Sequence, residues 1–196
     1  SWYYNSRKVH NYFGFQQYIS LDFFEPQIKG MFPADSEVAK LIMERTAATP
    51  GPDFIFANTI ENHLPYTPLK FKELSVQASG PISEAYKQQI ETYATGAADA
   101  DLMLKTLVEH YAASSEPTII VFFGDHKPSL GNNYGVYKQG GYMLEDDPDM
   151  LHKVYDVPVI VWNNYLPGHK DKLDISPAFL GPYILNLAEM EGTPYM

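Results

Sequence analysis

Gly124-Asp125-His126-Lys127-Pro128 sets a carboxylate beside an imidazole directly after the strongest apolar run of the chain, Thr118-Ile119-Ile120-Val121-Phe122-Phe123. One hard oxygen and one borderline nitrogen form a donor pair suited to Mn, Zn or Mg-type ions. The glycine before them reads as a sharp backbone turn that aims both side chains at one site. A blander reading stands beside it, in which Asp125 caps the turn and His126 is solvated. His63 is the second candidate, just past the apolar run Phe54-Ile55-Phe56-Ala57. It reads either as a ligand or phosphate-contacting imidazole, or as a loop histidine held by neighbouring backbone. Ligands of open α/β sheets sit outside the carboxyl ends of the strands, so the two stretches are expected to share a rim.

Other titratable residues carry weaker patterns. His110 falls near the end of a long helical stretch, where a cation suits the helix dipole. His10, His152 and His169 have no partner pattern and are expected at the surface. Thr59 lies near His63, but no nucleophile elbow or glycine-rich turn surrounds it. The run Glu145-Asp146-Asp147-Pro148-Asp149 lacks the spaced ligands and glycine of a calcium loop and reads as a solvated charge run.

The elements that must position these residues alternate helix and strand, which argues for an α/β layer architecture. Asp35 or Ser36 is expected to cap a helix with Val38, Leu41 and Ile42 on its apolar face. Phe54 to Ala57 reads as a short buried strand. From Ser83, the stripe Tyr86, Ile90, Tyr93, Ala97, Ala100, Leu104, Leu107 and Tyr111 predicts one long helix. Gly96 inside it costs about 1 kcal/mol relative to Ala. Thr118 to Phe123 reads as a strand buried on both faces, and strand–helix–strand connectivity predicts that it runs parallel to Phe54–Ala57. Residues 127 to 156 read as a long loop, a feature that is usually functional. Val157 to Trp162 is a further strand. Ser176-Pro177 opens a helix that Pro182 should kink or delay. Gly192 to Met196 do not read as a domain end.

Composition narrows the class. The 196 residues are 45% hydrophobic and 19% charged, a globular balance that excludes a disordered tail. A chain this long buries about 70% of its unfolded surface and needs no covalent staple. No apolar run reaches the length of a membrane span and no signal peptide opens the chain. The 14 Lys and Arg against 24 Asp and Glu leave a net charge of −10, which argues against nucleic-acid binding. Cysteine is absent, so disulfides, thiolate metal sites and a cysteine nucleophile are excluded.

The stretch Thr118 to Gly131 resembles the metal-binding signature of lipoteichoic acid synthase-like phosphoglycerol transferases, in the sulfatase branch of the alkaline phosphatase superfamily. Phe54 to Tyr66, ending Asn62-His63-Leu64-Pro65-Tyr66, is similar to that family's strand and active-site histidine segment. Asn5 with Val9 to Phe15, Val157 to Tyr165, and Ser176 to Met190 add further matches, so the resemblance covers nearly the whole chain. It implies an α/β fold: a partial alkaline phosphatase/sulfatase-like sandwich, with a mostly parallel sheet flanked by helices. Residues 1–196 would form the C-terminal portion of one catalytic domain. Asp125 and His126 match two ligands of the catalytic divalent cation, manganese first, with magnesium or zinc as alternatives. His63 matches the histidine that contacts the substrate phosphate. Tyr4 and Asn5 fall where the family has Trp-Asn. Ser6 takes the place of its substrate-binding Arg, and Arg7 is adjacent.

By the same resemblance the nucleophilic threonine and a glutamate ligand come from earlier strands than any in this chain. The chain alone is then expected to lack the nucleophile, to bind metal weakly and to be inactive. A sheet without its first strands would leave an edge open to homodimerisation. The implied activity is transfer of phosphoglycerol from a glycerophospholipid head group to a polymer or glycan acceptor, through a phospho-threonine. It would take place at the extracellular face of the cell membrane. The segment itself is expected to be soluble, touching the membrane only through other parts of the parent protein. Within the superfamily, a sulfatase, phosphodiesterase or phosphoethanolamine transferase remains an alternative; outside it, a non-catalytic binding module.

Overall fold

The computed structural model describes residues 5–21, 23–168 and 172–192. Tyr4, His169 and residues 193–196 lie outside the described residues. The chain divides into two units, Ser1–Asn164 and Tyr165–Met196. The first contains, in order, helix α1 (Ser6–Tyr12), a small hairpin of β1 (Ile28–Lys29) and β2 (Phe32–Pro33), and helices α2 (Asp35–Ala48) and α3 (Glu84–Ala112). Strand β3 (Ile119–Phe123), short helices α4 (Gly135–Gln139) and α5 (Met150–Tyr155), and strand β4 (Val159–Asn163) follow. The second unit holds helix α6 (Leu180–Leu187).

The long amphipathic stripe becomes α3, with Ser83 at its N-cap and Met103, Leu104, Leu107 and Tyr111 buried. These residues meet Ala39, Val38, Ile42 and Met43 of α2, and Ile120, Phe122 and Trp162 of the strands. Burying such apolar side chains is the main stabilising contribution of the unit, roughly 1.5–3 kcal/mol for each fully enclosed one. Polar ties fix the register. Thr46 Oγ1 meets the Tyr111 hydroxyl at 2.8 Å. Asn164 accepts from the Thr118 N–H at 2.8 Å and donates to the Tyr111 carbonyl at 2.9 Å, joining the strand to the end of α3. The α2 cap differs from expectation: Ala34 is the N-cap, and Asp35, the first helical residue, is buried.

Among the described residues no parallel strand pairing is observed. β3 pairs with β4 antiparallel, from Ile119 opposite Asn163 to Phe123 opposite Val159, and β1 with β2 is antiparallel too. Phe54 to Ala57 forms no strand; Phe54 is 80% exposed and Phe56 55%. An apolar run becomes a buried strand only where a neighbour takes its backbone hydrogen bonds. Here its rings meet Phe15 (5.6 Å) and His10 (5.9 Å) instead. β3 is likewise half-buried rather than covered on both faces. Ile120 and Phe122 point to the helices, as the two-residue period of a strand requires, and Phe123 on the opposite face is largely exposed. Residues 127 to 156, expected as loop, include α4 and α5.

In the second unit Ser176 accepts the N–H of Ala178, as anticipated for an N-cap, and Pro177 begins a short 3-10 turn. Pro182 is the third residue of α6, where its missing N–H has no intrahelical partner to lose. It therefore delays the helix without breaking it.

Candidate active site

Asp125 and His126 leave the C-terminal end of β3 together. The His126 backbone N–H donates to Asp125 Oδ1 at 2.9 Å. His126 Nδ1 lies 2.8 Å from the Lys127 carbonyl, which only accepts, so Nδ1 carries a proton. Nε2 then turns toward Asp125 Oδ2 at 3.5 Å, with both side chains largely exposed. An unprotonated Nε2 and a carboxylate oxygen are two acceptors, and they repel unless a proton or cation lies between them. Two ligands held at roughly 2.1 Å from a tetrahedral ion are themselves about 3.4 Å apart. The pair therefore has the bite of two metal ligands, and the Lys127 carbonyl is the outer partner that commonly orients a ligating histidine. A cap and a ligand are not alternatives here: Oδ1 serves the turn and Oδ2 faces the imidazole.

Gly124 does not supply the turn in the way expected. It is absent from the left-handed region, and a Cβ there would meet Val157 only at ordinary contact distance, 3.9 Å. The turn is held from the other side, by the Tyr137 hydroxyl donating to the Pro128 carbonyl at 2.7 Å. Gly131, at φ +71°, and Gly135 press against Tyr86, where a Cβ on Gly135 would meet the Tyr86 hydroxyl at 2.2 Å. Gln89 of α3 accepts the Gly131 N–H at 2.8 Å. The loop after the Asp-His pair is thus packed onto α3.

His63 is exposed, and its Nδ1 lies 3.1 Å from the Leu64 carbonyl, leaving Nε2 clear of that contact. Phe32 sits against the ring at 5.9 Å. The segment is fixed by residues that the sequence did not single out. Lys70, 3% exposed, donates to the His63 carbonyl at 2.5 Å, and its ammonium lies over Phe32, Tyr66 and Phe71. Burial pushes its pKa down. Asn62 donates to the Tyr93 carbonyl of α3 at 3.1 Å, and the Tyr66 hydroxyl donates to the Asn62 carbonyl at 3.0 Å. Gly96 is what lets Asn62 in: a Cβ there would come within 2.2 Å of its Oδ1. A glycine inside an otherwise regular helical stripe was the one available signal of this close approach.

Tyr66, on the turn after His63, feels the charge of Asp125. Its pKa is pushed up to about 12, first by burial and then by the charges of Tyr93, Tyr137 and Asp125. Asp125 is thus within electrostatic reach of the turn that carries His63. No group of three or more His, Asp or Glu side chains able to enclose an ion is found among the described residues. The Asp125–His126 pair could supply two donors of a metal shell.

The remaining candidates resolve differently. The Thr59 hydroxyl bonds Asp35. His10 is half-buried, not at the surface as expected, and its Nδ1 bonds the Ser6 carbonyl at 2.7 Å. His152 is exposed and pairs with Asp156 at 3.2 Å. The acidic run is not merely solvated: Asp147 accepts from Lys153 at 2.8 Å and from the Leu144 and Asp149 N–H groups. Those donors hold its pKa near 2. Arg7 is exposed on α1 and Ser6 is half-buried.

The Sulfatase family profile matches residues 1–190, and the chain belongs to that family, within the alkaline phosphatase superfamily. A putative cyclic beta-1,2-glucan modification protein of Rhizobium meliloti is 33% identical over 201 residues, covering 99% of this chain. The chain spans 31% of that relative's length. No solved structure matches significantly. No helix among the described residues is long and apolar enough to cross a membrane.

Proposed function

We propose that this chain supplies two metal ligands, Asp125 and His126, and the phosphate-contacting His63 of a transferase. The enzyme would move phosphoglycerol from a glycerophospholipid to a glycan acceptor outside the cell. The observation that carries this reading is the pair itself: Nε2 and Oδ2 3.5 Å apart, with Nδ1 pinned by the Lys127 carbonyl. A divalent ion bound there, manganese first, would supply Lewis-acid stabilisation of charge on the phosphoryl oxygens. This chain's own part is to orient. Asp125 Oδ2 and His126 Nε2, 3.5 Å apart, would both ligate that ion. His63, whose Nδ1–H is engaged, donates to a phosphoryl oxygen through Nε2 as imidazolium and can take up a proton there as the neutral ring. The relative named for glucan modification supports a glycan acceptor. The nucleophile is assigned to a threonine outside residues 1–196, in one catalytic domain to which these residues contribute the C-terminal part.

The test is Asp125→Asn in the intact protein. Manganese affinity and phosphoglycerol transfer to β-1,2-glucan are both expected to fall by at least about 100-fold, more than for loss of an outer-shell partner. Unchanged metal affinity by calorimetry would remove the pair from the metal shell. The family match favours one second reading, hydrolysis of a sulfate or phosphate ester without transfer. Release of free glycerol phosphate or sulfate, with no substituted glucan formed, would select it.

A further inference from the structure

We infer that the depression lined by Lys127, the residue after the Asp125–His126 pair, is a subsite for a neutral sugar ring of the acceptor. The inference rests on the transferase reading above and adds where the glycan lies. The depression has a volume of about 440 Å3 and is lined by Lys127, Tyr142, Asp149, His152, Lys153 and Asp156. It is shallow and widely open to solvent rather than an enclosed cavity, so a ligand there keeps one side in water. Its lining balances charge, with two ammonium groups against two carboxylates. A phosphate would meet both carboxylates, and a metal ion both ammonium groups. A ligand of many hydroxyls, each able to donate and accept, matches the mixture at no charge cost.

Tyr142 supplies the apolar element. Its ring is 44% exposed, and its hydroxyl is fixed by Lys127 Nζ at 2.8 Å and the Lys153 carbonyl at 3.2 Å. The ring also has Lys127 Nζ and Lys153 Nζ at 5.2 and 5.9 Å from its centroid and Tyr137 at 5.7 Å, so it is a fixed amphipathic wall whose exposed part is what the C–H face of a sugar can meet. Lys127 joins this wall to the metal pair: its side chain holds Tyr142 while its carbonyl holds His126 Nδ1. A sugar bound against Tyr142 would therefore contact Lys127, the residue that follows the pair in the chain.

The experiment titrates unsubstituted cyclic β-1,2-glucan into the intact protein and into Tyr142→Ala, Tyr142→Phe and His152→Ala, with glycerol 1-phosphate and inorganic phosphate as competitors. Tyr142→Ala is expected to weaken glucan binding by about tenfold or more, His152→Ala by several-fold, and Tyr142→Phe least. Neither phosphate should displace the glucan. Wild-type affinity in both Tyr142→Ala and His152→Ala, no glucan binding by the wild type, or displacement by glycerol 1-phosphate would each overturn the subsite. His152 is solvent-facing, so its variant reports binding even if Tyr142→Ala folds poorly. Manganese titration of the same samples separates the two readings. Tyr142-dependent glucan binding without manganese binding keeps the subsite and removes the transferase; manganese binding and turnover with glucan affinity indifferent to Tyr142 does the reverse.

Discussion

His63 and His126 are oriented by the same local device. Each gives its Nδ1–H to the carbonyl of the residue that follows it, Leu64 at 3.1 Å and Lys127 at 2.8 Å, so each has Nε2 left for chemistry. A backbone acceptor one residue away restricts ring rotation without a second charged group, and no spacing motif in the sequence announces it. What differs is how the supporting backbone is held. The His126 turn leans on neutral tyrosine contacts, whereas the His63 carbonyl is held by a buried ammonium. Among the described residues Lys70 has no carboxylate within 4 Å; its charge is met by that carbonyl and three aromatic faces. Cation–ring contacts of this kind contribute on the order of 1 kcal/mol each. Lys70→Met keeps the length of the stem and removes the donor. It should destabilise the chain by about 1–3 kcal/mol, the cost of leaving a carbonyl unsatisfied. Urea unfolding checks this, and an unchanged midpoint would mean that the His63 carbonyl finds another donor.

At the scale of elements, α3 is the platform for both candidate segments. It receives Asn62 through Gly96 and the Tyr93 carbonyl, and the loop after the Asp-His pair through Tyr86 and Gln89. The helix-propensity gain of Gly96→Ala, up to about 1 kcal/mol in favour of Ala, is opposed by overpacking of roughly 1–3 kcal/mol. Because the added methyl would lie 2.2 Å from Asn62 Oδ1, overpacking should win. The melting temperature of Gly96→Ala is expected to fall, and backbone amide resonances of residues 60–66 to shift; a raised melting temperature with those resonances unmoved would refute the contact. The helix itself was legible because its stripe repeats over 29 residues, far longer than any accidental pattern. The Asp-His turn was legible because both donors adjoin in sequence and follow a strand. Strand pairing was not, since an apolar run such as Phe54–Ala57 carries no information about which backbone, if any, will hydrogen-bond to it. Lys70 and Glu61 were also opaque, because a charged residue normally signals solvent and only tertiary neighbours can make its burial tolerable.

A buried acidic knot in the first unit draws together residues distant in sequence. Asp35 and Glu61 are each 1% exposed, and the Asp35 N–H donates to Glu61 Oε2 at 2.7 Å. Lys29 pairs with Asp99 at 2.5 Å and stands 4.0 Å from Glu61. Asp35 Oδ1 and Glu61 Oε1 are buried without a hydrogen-bond partner. Burial, reinforced by the neighbouring carboxylates, raises Asp35 to about 6 and Glu61 to about 7, from ordinary values of 3.8 and 4.5. Each folded-state value lies above the unfolded one, so between them the native chain holds protons that the unfolded chain has released. Stability is therefore lost as pH rises from about 4 to 7, by an amount on the order of 3 kcal/mol for one proton held by the pair. Asp147 works in the opposite sense: its value near 2 gives a contribution present above 3.8 and lost as pH falls toward 2. The two trends place the stability optimum near pH 4–5, below neutrality, and the net charge of −10 pushes the same way, because acidification reduces self-repulsion. Asp35→Asn separates the causes, since it removes one knot carboxylate and changes the net charge by a single unit. The wild-type urea midpoint should drop between pH 5 and pH 8 at 0.5 M salt, where surface repulsion is screened, and Asp35→Asn should make that drop shallower while burial keeps Glu61 raised. A midpoint that rises across this interval, or an equally steep fall in Asp35→Asn, would show that the knot carboxylates are ionised in the folded chain and that its pH response comes from the surface.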